Sequence, residues 1–305
     1  MTGITSQYPR PDHFVLHLSD THFLAGGGRL YDTLDSEAKL RQLFAELEAS
    51  GARPEAIIFT GDLADKGDEV AYREIRAIVE PAAERLGAEV VWVMGNHDDR
   101  SNFTTALLDE PASEQPIDRV FDINGLRIIA LDSTVPGHHH GLVTDAQLLW
   151  LQNVLATPAP HGTLLAMHHP PVPSVLDLAV TVELQAQKEL AAVIRGSDIR
   201  SIIAGHLHYS TTATFAGIPV SVASATCYTQ DLNVPVGGTR SQDGAQSFNL
   251  VHVYDDTVLH SVVPLGDYGS LAYVTAEETA VILAGEGITI APAINPHVLA
   301  SSIPA

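Results

Sequence analysis

Short apolar runs punctuate the chain up to residue 204: HFVLHLS at 13–19, AIIFT at 56–60, EVVWVM at 89–94, LRIIALD at 126–132, TLLAM at 163–167 and RSIIA at 200–204. Runs of this length between polar segments predict buried strands. Helical spacing appears between them over 35–50, 68–86 and 144–156, with Asp35 and Thr144 placed as caps of the first and last. A further helix is expected near 182–195. Strands alternating with helices in this way predict an α/β layered architecture.

After residue 205 the texture becomes β-rich, with TTATFAG followed by IPVSVAS and SFNLVHVY followed by TVLHSVVPL. These pairs predict a second sheet packed on the first. From about 267 the chain is small and apolar, and no Lys or Arg follows Arg240. The expected division is a main domain over 1–266 and a C-terminal appendage over 267–305, with one short helix near 276–285. No internal repeat is visible.

Composition narrows the function classes. The 305 residues can bury a sizeable core, and 37 acids against 16 bases leave a formal net charge of −21. Such a surface repels a nucleic-acid polymer or an anionic membrane, whereas a small anion can still bind where the site carries its own cations. The opening MTGITSQYPRPD lacks a signal peptide's apolar core, and no run approaches the roughly 18 apolar residues of a membrane span. The default location is therefore the cytoplasm. Cys227 is the sole cysteine, which excludes an internal disulfide and a thiolate cluster and leaves nitrogen and oxygen to hold any metal.

Five polar motifs each end an apolar run: Asp20-Thr21-His22, Gly61-Asp62, Gly95-Asn96-His97-Asp98, His168-His169 and Gly205-His206-Leu207-His208. Strand ends are where open α/β sheets gather ligands. Glycine before the polar residue permits a tight turn. In D-x-H and H-L-H the period-two spacing on extended backbone would aim both polar side chains the same way. Each motif alone has a bland reading as a turn or a structural histidine; five of them at five strand ends do not.

In this order the motifs resemble the calcineurin-like metallophosphoesterase superfamily. The segments GDLADKG, VWVMGNHDDR, HHPPVPSVLD and AGHLHYS are similar to class III cyclic nucleotide phosphodiesterases, above all the actinobacterial cyclic-AMP enzymes of the CpdA type. The resemblance covers nearly all of the chain to about 265 and implies a four-layer αββα sandwich with a dinuclear site. Asp20, His22 and His208 would hold one metal, Asn96, His168 and His206 the other, and Asp62 would bridge them. The implied reaction is hydrolysis of 3′,5′-cyclic nucleotides to 5′-monophosphates by a hydroxide held between two Mn, Fe or Zn ions.

His97 adjoins the ligand Asn96 and is the expected proton donor to the leaving oxygen. Asp65, in GDLADKG, stands where related phosphatases place an aspartate that supports this histidine. Lys66 replaces the arginine of their G-D-x-x-D-R-G, which weakens a protein-phosphatase reading. Substrate contacts are expected from His22, Asn96, His97 and, in the PGHHHG loop, His140; His169 reads as a ligand's neighbour. Two alternatives stand beside this reading: a broad phosphodiesterase preferring 2′,3′-cyclic nucleotides, and a non-catalytic scaffold, against which the complete ligand set argues. Some relatives are dimers, and the tail's Val281, Ile282, Leu283, Ile288 and Ile290 offer apolar surface for a second subunit, peripheral contact with the envelope, or the domain itself.

Overall fold

The structure is a computed structural model, and it describes residues 4–295. Residues 296–305, the end of the expected appendage, lie outside the described residues. The chain opens with β1 (Ile4–Thr5), β2 (His13–Leu18), α1 (Ser36–Ser50), β3 (Ala56–Thr60), α2 (Glu69–Leu86) and β4 (Glu89–Val93). Next come α3 (Arg100–Leu107), β5 (Arg119–Ile123), β6 (Leu126–Leu131), α4 (Asp145–Leu155), β7 (Thr163–Met167), a 3-10 segment (Asp177–Val182) and α5 (Gln187–Ile194). After β8 (Ile199–Ala204) come β9 (Thr211–Phe215), β10 (Ile218–Val222), β11 (Thr229–Gln230) and β12 (Ser241–Gln242). Last are β13 (Ser247–Val253), β14 (Val258–Pro264), α6 (Ala276–Glu286) and β15 (Ile288–Thr289).

Two sheets carry the fold, one ordered β14-β13-β2-β3-β4 and the other β5-β6-β7-β8-β10-β9. Their centres are parallel and their outer hairpins antiparallel. Strand alternation sorts the apolar side chains into three cores. Phe14, Leu16, Leu18, Ile57 and Phe59 pack outward against Leu40 and Leu43 of α1 and Tyr72 and Ile75 of α2. Val15, Ile58 and Val91 pack inward against Ile128, Leu164, Ala166 and Ile203 of the other sheet. On the far side Leu131, Leu165, Met167 and Ile202 meet Leu148 and Leu151 of α4 and Leu190 and Ile194 of α5. The result is the expected αββα sandwich, whose central strands are apolar on both faces because both faces are covered.

Local signals set the element ends. Asp35 caps α1 through the N–H of Ala38, and Thr144 with Gln147 forms a capping box on α4. Two expectations shift, and two elements have no counterpart in the sequence reading. The helix expected at 182–195 begins only at Gln187, because Ala186 is left-handed (φ 51°), Glu183 is extended and Val182 ends the 3-10 segment. Helix α3 and strand β5 carry too little apolar periodicity to be read from RSNFTTAL and RVFDI. The two late hairpins do not form a sheet of their own: β10 joins β8, and β13 joins β2. Period-two patterning identifies a strand but not its neighbour.

Helix α6 has a capping box from Thr275 and Glu278 but buries no residue. Beyond it β15 pairs in parallel with β1, and the Asn295 N–H donates to Asp12 Oδ1 at 2.8 Å. Asp12 precedes β2, so these contacts lie at the opposite strand end from Asp20.

Candidate metal centre

All five motifs emerge from the C-terminal ends of strands: Asp20 and His22 after β2, Asp62 after β3, Asn96 after β4, His168 after β7, His206 and His208 after β8. The two sheets bring these ends together. The backbone there is not the extended chain that the D-x-H and H-L-H spacing suggested. Asp20 (φ 54°), His22 (44°), Asp62 (50°), His206 (71°) and His208 (56°) are all left-handed. For residues other than glycine this costs on the order of 1–3 kcal/mol each, which the surrounding fold must supply. Each turn sharply re-aims its side chain into one crevice.

The crevice permits this because the glycines at its turns, Gly61, Gly95 and Gly205, lack side chains. A Cβ at Gly205 would fall 1.8 Å from Ser19 Oγ and 2.6 Å from Asp20 Oδ2. One at Gly95 would fall 2.1 Å from the Asp62 nitrogen.

Seven predicted ligands form two groups that share Asp62. In the first, His22 Nε2 and His208 Nε2 are 3.2 Å apart, and His208 Nε2 is 3.3 Å from Asp20 Oδ1. In the second, His168 Nε2 is 3.0 Å from Asn96 Oδ1 and 3.2 Å from His206 Nδ1. Asp62 Oδ2 lies 3.4 Å from both His22 Nε2 and His168 Nε2. Two nitrogens bound to one tetrahedral ion at about 2.1 Å would stand ~3.4 Å apart, so both nitrogen pairs have the spacing of shared ligands.

The outer ring nitrogens confirm the orientation. His22 Nδ1 donates to the Asp65 carboxylate (3.0 Å), His168 Nδ1 to the Thr60 carbonyl (2.7 Å), His206 Nε2 to the Val182 carbonyl (2.9 Å) and His208 Nδ1 to the Tyr228 carbonyl (3.0 Å). With those protons outward, the inner nitrogens of neutral rings present lone pairs to one another, which a cation between them resolves. The residues therefore fit a pair of metal ions.

Electrostatics say the same. Burial would raise the pKa of Asp62, but the charges and hydrogen bonds of His168 and His22 hold it well below the usual carboxylate range. Burial would lower His168, yet Asp62 raises it to about 9; burial would lower His208, yet Asp20 raises it to about 10. Burial and the charge on His168 lower His206 to about 3, so it stays neutral and ready to ligate. Protons on His168 and His208 occupy the role that cations would take.

Asp98, quoted in the sequence only as part of its motif, organises the floor. Its carboxylate accepts the N–H groups of Leu63, Ala64 and Gly95 and the hydroxyl of Tyr72, locking the turns that carry Asp62 and Asn96. Asp65 is placed differently from the expectation. Its carboxylate bonds His22, while His97 Nδ1 donates to the Asp65 carbonyl (2.8 Å) and stands 3.9 Å from the carboxylate. The carbonyl fixes the His97 ring and leaves Nε2 for the cavity. In the histidine loop it is His139 that lines the cavity and contacts Asn96 Nδ2 at 3.0 Å; the His140 ring lies against His138. His169 is buried, its nitrogens engaged by Ser133 Oγ and the His139 carbonyl.

A cavity of about 460 Å³ opens over this centre, lined also by Leu176, Leu178, Ala179, Thr181, Val182, Tyr228, Gln230 and Thr239. None of those eight was singled out in the sequence, since nothing marks a wall residue before the fold is known.

Residues 15–210 match the family model of the calcineurin-like phosphoesterases. The chain belongs to that family. Calcineurin-like phosphoesterases bind two divalent metals, and the described residues include His and Asp groups whose spacing could hold metal ions. Among relatives, a probable cyclic nucleotide phosphodiesterase of Rhodococcus erythropolis is 61% identical over 95% of this chain and 96% of its own. A cAMP/cGMP dual specificity phosphodiesterase of Mycobacterium tuberculosis is 58% identical over 98% and 96%. A dimetal phosphatase from Danio rerio shares the fold at 15% identity, with a TM-score of 0.60 over 84% of this chain and 98% of that one.

The titrations of this phosphoesterase centre predict a pH signature. His168 and His208 are raised above their ordinary 6.5, so their contribution to stability is complete below 6.5 and is lost as pH rises through about 9 and about 10. Thermal melts of chelator-treated protein should fall over that range, and metal-loaded protein should resist the fall because cations replace the protons. Metal-free melts that stay level across it would contradict the assignment.

Proposed function

We propose that the chain hydrolyses 3′,5′-cyclic nucleotides, cyclic AMP and cyclic GMP, to their 5′-monophosphates. The observation that carries this reading is the form of the cavity: paired ligand groups at its floor, apolar and neutral polar walls above, and no Lys or Arg among the described residues that line it. An anionic diester finds its positive charge only at the floor, and a neutral nucleoside finds space at the walls. The near full-length likeness to the Rhodococcus and Mycobacterium proteins supports the same substrate class. None of the described helices is long and apolar enough to cross a membrane.

Two bound cations, with Mn, Fe or Zn each suited to imidazole and carboxylate ligands, would make water a stronger nucleophile and offset phosphoryl charge. The chain's own residues do the rest. Asp62, its Oδ1 held by the His97 N–H at 2.8 Å, sits between the two groups and fixes their spacing. Asn96 is set by His168 and His139 from either side. As a water oxygen forms a bond to phosphorus, the bond from phosphorus to O3′ breaks, and that oxygen needs a proton. His97 faces the cavity with Nε2 toward it and can supply one. Because the Asp65 carbonyl holds the ring, His97→Ala removes the donor without removing a ligand.

His97→Ala should keep its metal content and lose roughly 10²- to 10⁴-fold in kcat on cyclic AMP, the range of general-acid help. On an aryl phosphodiester with a good leaving group the loss should be far smaller. Equal losses on both substrates would reject the proton-donor role. A wild-type preference for 2′,3′- over 3′,5′-cyclic nucleotides would reject the proposed substrate.

We also propose that residues 1–266 form the catalytic unit and 267–305 an appendage. Support comes from α6, which buries nothing, and from β15, which attaches at β1. A chain ending at Gly266 should retain metal binding and turnover within about twofold, since the lost contacts are distant from the site. A folded truncate without metal or activity would make the tail part of the catalytic domain.

A further inference from the structure

If the phosphate end of the cavity is fixed by the metal ligands, the opposite end decides which nucleoside fits. Beyond the ligand residues the lining comes from two chain segments, one around Asp177–Val182 that contributes Leu176, Leu178 and Ala179, and one that contains Tyr228, Gln230 and Thr239. Above the floor the described lining holds no charged side chain. A flat, neutral ring with polar edges suits such a slot, its face against the leucines and its edge toward the other segment.

Gln230 is the wall residue with a buried side-chain acceptor left unused. Its Nε2 reaches Ser241 Oγ at 3.3 Å, while its Oε1 is buried and has no protein partner. The backbone beneath it is tied to the metal centre: the Gln230 N–H donates to the His208 carbonyl at 3.0 Å, and His208 Nδ1 donates to the Tyr228 carbonyl. Pairing of β11 with β12, Gln230 opposite Ser241, stiffens the wall further. The backbone that carries the carboxamide is thus anchored to His208.

A carboxamide presents a donor beside an acceptor, and rotation about its last bond exchanges them. Adenine shows an amine donor beside a ring-nitrogen acceptor. Guanine shows a carbonyl acceptor beside a ring N–H donor. One side chain can therefore pair with either purine by turning over, whereas a carboxylate offers no donor to the adenine ring nitrogen or the guanine carbonyl, and an ammonium offers no acceptor to the adenine amine or the guanine ring N–H.

We propose that Gln230 is the purine-reading residue of this cavity, pairing in one amide orientation with adenine and in the other with guanine while Leu176 and Leu178 cover the ring. The proposal rests on the cyclic-nucleotide reading above. It is tested by comparing wild type, Gln230→Leu and Gln230→Glu on cyclic AMP, cyclic GMP and bis(4-nitrophenyl) phosphate, a diester without a base.

Gln230→Leu should raise KM for both cyclic purine nucleotides roughly tenfold, as expected for two neutral hydrogen bonds, with kcat little changed and the aryl diester unaffected. Gln230→Glu, an acceptor only, should shift preference toward cyclic GMP, whose ring N–H and amine are both donors, by roughly tenfold. Purine KM values within about twofold of wild type in both variants would overturn the assignment, as would a parallel loss on the aryl diester. Wild-type protein active on the aryl diester but inert on both cyclic nucleotides would instead overturn the substrate reading, an outcome distinct from the other two.

Discussion

The structure depends on one carboxylate placed between two histidines. Asp62 Oδ2 is equidistant, at 3.4 Å, from His22 and His168, and around it four imidazoles turn lone pairs inward at spacings that suit shared cations. Without positive charge between them these groups repel, and burial forbids water from relieving the conflict. Protons relieve it in part, at His168 and His208. Divalent cations between the rings would relieve it fully, which is why the cluster fits a metal centre.

Holding so many ligands at one point requires strain, and the fold distributes it. Five ligand residues adopt left-handed backbone, and each follows a buried strand whose apolar faces are locked in two cores. Gly95 and Gly205 let neighbouring strand ends approach more closely than any side chain would allow. Asp98 gathers three N–H groups and a tyrosine hydroxyl beneath the site, and burial with the nearby Asp62 charge raises its pKa to about 6. The sandwich is therefore a frame that pays the local cost in many small packing terms. The outer nitrogens of His22, His168, His206 and His208 are each held by a hydrogen bond, so a cation would meet rings already oriented.

How much of this was legible in the sequence follows from which atoms do the work. Side-chain ligands leave letters, so Asp20, His22, Asp62, Asn96, His168, His206 and His208 stood out at strand ends, and the structure brings all seven to one crevice. Backbone partners leave none: the carbonyls of Thr60, Val182 and Tyr228 orient three of those histidines, yet no residue type marks them. Asp65 was visible, but its choice of His22 over His97 depends on a left-handed turn that spacing cannot reveal. The same holds for His139 facing the cavity where His140 was expected. The six buried strands β2, β3, β4, β6, β7 and β8 were read within about one residue, since burial writes a continuous apolar run, while the partner sheets of the two late hairpins had to come from three-dimensional pairing.

A chain with a formal charge of −21 that gathers Asp20 and Asp62 at its centre needs two divalent ions before it can attract an anionic diester. Anomalous diffraction from crystals of the manganese-loaded protein tests that dependence most directly. The account predicts two peaks per chain, ~3.5–4 Å apart as in other two-metal sites, with Asp62 between them. A single peak at full loading, or two peaks without Asp62 between them, would contradict it.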